Sequence, residues 1–258
     1  MNNRHLTTAI EAARAAGAVI KKHFRGTVII EEKSDGSFVS MVDRGAERAA
    51  LGVIEGQFPV HSIVTEEAGV FDRDPDSIWY IDPLDGTTNF LHHVPFFCVS
   101  IGYAHKGVLE AGVIFDPVHE ELFCAERGGG AFLNGKKIEV SNPEFKNAVI
   151  GACRSSEIAK KKLGLKMAQA LEERVHGVKF MGSAALELAY TSCGRFDGFV
   201  GLAVNSYDVS AGVLICEEAG AETVTHSGKP ATFLDKDFVI GNKEITLQIV
   251  KYIKKAKV

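Results

Sequence analysis

The stretch Trp79-Tyr80-Ile81-Asp82-Pro83-Leu84-Asp85-Gly86-Thr87-Thr88-Asn89-Phe90 restricts what this chain can fold into more than any other segment. An apolar strand-like run ends at Asp82, Pro83 keeps the residue before it out of the α region, and Asp85-Gly86 turns the chain. Two carboxylates therefore leave a strand end close together, where they repel each other unless a cation sits between them. Hard oxygen donors of this kind suit Mg²⁺, which retains waters and also accepts phosphate oxygens. Gly86 and Thr87 then open a helical turn whose free N–H groups suit an anion. Read alone, Asp85-Gly86-Thr87 is an ordinary turn; the whole string favours a phosphate site.

Two further acids join it. Ile63-Val64-Thr65-Glu66-Glu67 brings an apolar strand to a pair of carboxylates, sixteen residues before Asp82, a separation that lets a connection return a neighbouring strand to the same sheet edge. Asp208, in Asn205-Ser206-Tyr207-Asp208-Val209-Ser210-Ala211-Gly212-Val213, begins a small-residue helical run, and an N-cap is its plainer reading.

Around these segments the chain reads as one α/β body. Ile10, Ala13, Gly17, Ile20 and Phe24 repeat at helical spacing, with Thr8 and Glu11 expected as a capping box, and a second helix is expected around Ala46 to Ile54. Val28-Ile29-Ile30 and a turn at Asp35-Gly36 lie between them. From Ile63 to Val140 short strand runs follow one another with hairpin signals, whereas the remainder alternates strands with helices. A composition break near Asn142-Pro143 predicts a strand-rich 1–143 half carrying most of the acids and a 144–258 half carrying Asp208. The 258 residues carry a net charge of −4, so no global positive field gathers nucleic acid or an anionic membrane, and phosphate binding must be local. Five widely spaced cysteines without a C-x-x-C pair argue against a disulfide framework, and no run approaches a membrane span. A cytoplasmic protein is expected.

Through Glu66-Glu67, Asp82 to Phe90, Gly182-Ser183-Ala184-Ala185 and Tyr207 to Gly220, the sequence resembles the inositol monophosphatase family of Mg²⁺-dependent, lithium-sensitive phosphatases over essentially its full length. Thr87-Thr88-Asn89 after Asp85-Gly86 is similar to that branch rather than to the nucleotide 3′-phosphatases or the larger fructose bisphosphatases. The resemblance implies a layered αβαβα sandwich, antiparallel in its first half and mixed in its second, and two or three Mg²⁺ ions. It implies that Glu66, Asp82 and the carbonyl of Leu84 hold the first metal, and Asp82, Asp85 and Asp208 the second. The N–H groups of Gly86 and Thr87 would take phosphate oxygens, and Glu66 with the Thr87 hydroxyl, backed by Asp43, would orient the attacking water. Asp85, Asp208 and the Gly182-Ser183-Ala184 wall would meet the substrate, with Glu67 in an accessory place. The implied substrate is a small phosphomonoester, myo-inositol monophosphate before fructose 1,6-bisphosphate or NADP; the implied assembly is a homodimer. A regulatory binding protein built on the same fold is the alternative from a different class, and the clustered carboxylates speak against it.

Gly130-Ala131-Phe132-Leu133-Asn134-Gly135-Lys136-Lys137 approaches a nucleotide-binding loop, but lacks its closing hydroxyl and leads into a strand, so an Asn-Gly hairpin is expected. His92-His93 reads as surface or supporting histidines, not metal ligands. Where inositol-selective relatives carry a hydroxyl-binding glutamate, this chain has Gly201, which predicts a broader range of leaving alcohols.

Overall fold

The computed structural model describes residues 4–26, 29–32, 38–153 and 158–256. The first half runs α1 (Arg4–His23), β1 (Ile30–Glu32), β2 (Phe38–Ser40), α2 (Met41–Gln57), β3 (His61–Thr65), β4 (Gly69–Phe71), β5 (Asp74–Asp85), α3 (Thr87–Leu91), β6 (Cys98–His105), β7 (Val108–Asp116), β8 (Glu121–Glu126), β9 (Gly130–Leu133) and β10 (Lys136–Ile138). The second runs β11 (Val149–Ala152), α4 (Ile158–Glu172), β12 (Gly177–Lys179), α5 (Ala184–Ser192), β13 (Gly198–Leu202), α6 (Ser206–Glu218), β14 (Glu222–Thr225), β15 (Asp237–Gly241) and α7 (Lys243–Ala256).

Strands β3 to β10 form an eight-stranded sheet in the order β10-β9-β8-β7-β6-β5-β3-β4, antiparallel except for the β3–β5 pair. Strands β11 to β15 form a five-stranded mixed sheet in the order β12-β11-β13-β15-β14. Helices α1 and α2 cover one face of the large sheet, α5 and α6 lie between the sheets, and α4 and α7 pack together on the outer face of the small one. The expected five-layer αβαβα sandwich is therefore present.

Each layer follows from its sequence. Helix α6 is buried all round from Val209 to Cys216, as a helix between two sheets must be. It sits close on the large sheet because Gly102 and Gly112 leave room there for Ser210 and Ala211. Helix α7 buries a stripe of Ile245, Ile249, Val250 and Ile253, and its lysines stay outside. A single core cluster includes Tyr80, Ile114 and Phe123 together with Leu188, Phe199 and Ile215, so apolar packing crosses from one sheet to the other.

Several local expectations change. Helix α1 starts at Arg4, so Thr8 is a buried interior residue and the Thr8–Glu11 capping box is not formed; the alanine-rich apolar stripe simply continues one turn further back. Helix α2 is longer than Ala46 to Ile54 because Ser40 caps it, bonding the Val42 and Asp43 N–H groups. Of Val28-Ile29-Ile30, Ile30 opens β1; Val28 and the Asp35-Gly36 turn lie outside the described residues. Strands β4, β12 and β14 are short and were not evident from apolar periodicity. The Asn134-Gly135 hairpin forms as expected, both residues having positive φ (48° and 76°). No described helix is long and apolar enough to cross a membrane.

Candidate active site

The end of β5 is where the sheet geometry becomes chemistry. Residues three apart on a regular strand point to opposite faces, yet the β5–β6 register slips between Asp82, opposite Ser100, and Asp85, opposite Cys98. The extra residue, at Pro83-Leu84, is a bulge that turns both carboxylates to the same side. Gly86 follows with φ 98°, and a Cβ there would stand 3.0 Å from the Phe96 carbonyl oxygen, so glycine is needed to lead β5 into α3.

Both aspartates border a cavity of about 350 Å³, and Glu66, Leu84, Gly86, Thr87, Gly182, Ser183, Ala184 and Asp208 border it too. Residues separated by more than a hundred positions are thus brought together around one cavity. Parallel pairing of β3 with β5 places Glu66 beside the end of β5. Asp43 lies behind the cavity wall, and Glu67 is not among its lining residues. Asp208 corrects an expectation: Asn205 is the N-cap of α6 and Asp208 stands three residues on, its Oδ2 accepting the Asn205 N–H at 2.8 Å in a capping box. The signal was the asparagine three residues upstream.

The hydrogen bonds fix each group. Asp82 Oδ1 accepts the Leu84 N–H (3.0 Å). Asp85 Oδ2 accepts the Ser183 hydroxyl (2.7 Å) and the Ala185 N–H (2.6 Å), so it is tied to the start of α5. The Thr87 hydroxyl lies 2.9 Å from Asp43 Oδ1 and 3.1 Å from the Leu84 carbonyl, while Asp43 Oδ2 accepts the Ser40 N–H and hydroxyl. Asp43 therefore closes a capping box on α2 with one oxygen and anchors Thr87 with the other.

The electrostatics are those of carboxylates crowded out of water. Burial, and after it the charges of Glu66, Asp85 and Asp208, raises Asp82 well above the usual carboxylate range. Asp85 and Asp208 are raised as well, burial again being the main cause. Asp43 is raised by burial against the opposing pull of its hydrogen bonds. Such a set is stabilised by a hard divalent cation, whose charge reverses the penalty. Among the described residues no three or more His, Cys, Asp or Glu groups converge into a ready-made cage. Some carboxylate oxygens are already taken by Ser183, Ala185 and Asn205, which suits a cation such as Mg²⁺ that keeps several waters rather than demanding an all-protein cage. Cys153 also borders the cavity, but burial pushes its thiol up to about 12, so it offers no thiolate nucleophile at neutral pH. His92 and His93 are exposed.

Comparison with known proteins agrees with this geometry. The profile of the inositol monophosphatase family matches residues 1–257. The chain belongs to that family. Its similar relatives in the family include the Nus factor SuhB of Pseudomonas aeruginosa, 37% identical over 244 residues covering 91% of this chain and 90% of that one. The fructose-1,6-bisphosphatase/inositol-1-monophosphatase of Thermotoga maritima is 36% identical over 96% of this chain and 95% of its own. Among solved structures, the extragenic suppressor protein suhB of Bartonella henselae superposes with a TM-score of 0.94 at 32% identity, covering 98% and 99% of the two chains. Family membership thus carries differently named proteins on one fold.

Sequence reasoning missed three polar residues that shape the site. Glu47, buried on α2 one turn after Asp43, accepts the Thr65 hydroxyl (2.6 Å) and the N–H groups of Glu67 (3.3 Å) and Ala68 (3.0 Å), holding the turn that carries Glu66. Its signal was an acid on the same helical face as Val42, Ala46, Ala50 and Ile54. Asn89 and Glu187 brace the Met181-Gly182 turn. Gly201, in turn, is not among the lining residues: a Cβ there would stand 3.1 Å from the Phe238 ring, which occupies the space a longer side chain would need.

Proposed function

We propose that this chain is a Mg²⁺-dependent phosphomonoester hydrolase acting on a small polyol phosphate, with myo-inositol monophosphate the first substrate to test. The reading rests on one juxtaposition: Glu66, Asp82, Asp85 and Asp208 border the same cavity as the start of α3, and Thr87 there is held by buried Asp43. Glu66, Asp82 and the Leu84 carbonyl would hold one cation and Asp82, Asp85 and Asp208 a second. Bound there, divalent cations would supply charge neutralisation at the phosphate and a lowered pKa for the attacking water.

The protein's own part is positioning, the main task in phosphoryl transfer. With its proton directed to Asp43 or Leu84, the Thr87 oxygen presents a lone pair to a water, and the Glu66 carboxylate offers a second acceptor. The water is thereby aimed and its proton has somewhere to go. The backbone N–H groups of Gly86 and Thr87 suit two phosphate oxygens. The Gly182-Ser183-Ala184 wall, which borders the same cavity, suits the departing alcohol.

A second reading, a wider sugar-phosphate range including fructose 1,6-bisphosphate or NADP, is supported by the Thermotoga maritima relative, which is named for both fructose-1,6-bisphosphatase and inositol-1-monophosphatase. Phosphate release from inositol 1-phosphate, fructose 1,6-bisphosphate, NADP and glycerol 2-phosphate, with Mg²⁺ and with chelator, tests both. Release from none of them, or undiminished release in chelator, removes the hydrolase reading. LiCl against NaCl at equal ionic strength tests the lithium sensitivity, and sedimentation the homodimer, that the family resemblance implies.

A further inference from the structure

On the alcohol side of the cavity stands a carboxylate that the chemistry above does not use. Glu187, in the first turn of α5, is fully buried. Its Oε1 accepts the N–H groups of Met181 (3.0 Å) and Gly182 (3.2 Å). Its Oε2 has no hydrogen-bond partner; the Ala152 N–H is close enough to favour the charged form without completing such a bond. Gly151 keeps the space beside it open, since a Cβ there would stand 3.0 Å from Oε2. An acid buried with one oxygen unsatisfied is unfavourable by itself, so its place is explained by what the other oxygen does.

The same turn is gripped from the far side. Asn89, on α3, donates through Nδ2 to the Met181 carbonyl (2.7 Å) and to the Phe96 carbonyl (2.8 Å). Met181 and Gly182 are exposed and have little apolar packing to hold them, and Gly182 has φ 84°. Directly after them comes Ser183, whose hydroxyl donates to Asp85. The turn thus lies between a helix at the phosphate end and a helix at the alcohol end, fastened to each by a buried or half-buried side chain.

We propose that Glu187, opposed by Asn89, is the positioning residue of the leaving-alcohol wall, fixing the Met181-Gly182 turn at a set distance from α3 and so setting which alcohols fit once the phosphate is bound. This rests on the hydrolase reading above. Burial also pushes the Glu187 carboxyl up to about 8, and a glutamine in its place keeps an acceptor oxygen for the Met181 and Gly182 N–H groups.

The test compares inositol 1-phosphate with p-nitrophenyl phosphate, whose flat leaving group has no hydroxyls, on wild type, Glu187→Leu, Glu187→Gln and Asn89→Ala. Glu187→Leu keeps the volume and leaves two N–H groups unpaired. It is expected to lower the ratio of kcat/KM for inositol 1-phosphate over p-nitrophenyl phosphate at least tenfold, the change falling in KM. Glu187→Gln is expected to bring that ratio back to within threefold of wild type. If Glu187→Leu gives no cooperative melt, Asn89→Ala cuts the opposite grip and is read by the same ratio, with the same expected fall. Equal losses on both substrates, an unchanged ratio, or a glutamine variant as unselective as the leucine one would overturn the proposal. A wild type that hydrolyses neither ester removes the hydrolase reading and this inference together, whereas an active wild type with an unmoved ratio removes this inference alone.

Discussion

Around Asp82 the protein concentrates charge that its own interior opposes, and around Gly201 it has removed the one charged group that family resemblance would place there. The phosphate end is held from several directions: a β-bulge aims Asp82 and Asp85, α2 anchors Thr87 through Asp43 and the Glu66 turn through Glu47, and α6 delivers Asp208. The alcohol end has a turn braced by Asn89 and Glu187 and a strand whose inward space is taken by Phe238. On the proposed function, one end holds a fixed chemical group and the other borders whatever is attached to it. Reaction type and substrate range can then vary separately.

The sharpest break in that contrast comes from Asp82→Asn. It keeps the shape and removes a charge from the centre of the carboxylate set, so turnover on every substrate should fall by three or more orders of magnitude, with the fold intact. Without metal, the variant's melting temperature should equal or exceed that of wild type, because one source of buried repulsion is gone; full activity in Asp82→Asn would end the assignment. Thr87→Ala should follow, with kcat lower by about a hundredfold on all substrates, the usual worth of positioned proton-transfer groups. Thr87→Ser should recover most of it, and a selective loss for one alcohol would move Thr87 from the phosphate end to the other.

A smaller effect is expected at the alcohol end. Gly201→Glu on its own should cost about 1–3 kcal/mol of stability by overpacking against Phe238. Combined with Phe238→Val, it should regain part of that stability, while the preference for inositol 1-phosphate over glycerol 2-phosphate should stay unchanged, because Gly201 does not border the cavity. Chemical denaturation and the ratio of specificity constants check the two halves of this statement. The smallest effect lies away from both ends, where His5 stacks on Tyr103 at 4.0 Å and on Phe58 at 4.6 Å. Burial, then His61, Arg4 and His105, lowers its pKa to about 4. The unfolded chain therefore binds a proton there that the folded one does not, so the stability from neutral His5 is complete above about pH 6.5 and is lost as pH falls toward 4. His5→Phe should flatten the pH dependence of melting in that window, and a dependence as steep as wild type would show that other groups cause it.

How much of this could be read beforehand differed between the same regions. The carboxylates and the α3 turn were legible because their signals are local: apolar runs, a Pro and a D-G turn; the five-layer plan followed only from the family resemblance. The caps were not. Asp208 looked like an N-cap because Asn205 carries that role without being apolar-periodic, and Thr8–Glu11 mimicked a box inside a helix that had already begun. Glu47 and Asn89 were missed for a different reason: each acts through backbone groups of a distant segment, and only folding reveals those partners; Glu187 acts on a turn five and six residues upstream, whose backbone path only the fold shows. Gly201 was legible as a missing group, but Phe238, which fills its place, is brought there by antiparallel pairing of β13 with β15.

Helix α6, wedged between the two sheets, is made late in the chain and buried on every side. A ribosome that has released only the first half has exposed Glu66, Asp82 and Asp85, yet the surface of the large sheet that α6 covers is still bare and Asp208 is not yet synthesised. Such a nascent chain has acidic groups without a complete centre, and an uncovered apolar sheet face that invites chaperone capture or association with its neighbours. Enzymatic competence and protection from aggregation therefore arrive in the same event, the docking of one helix.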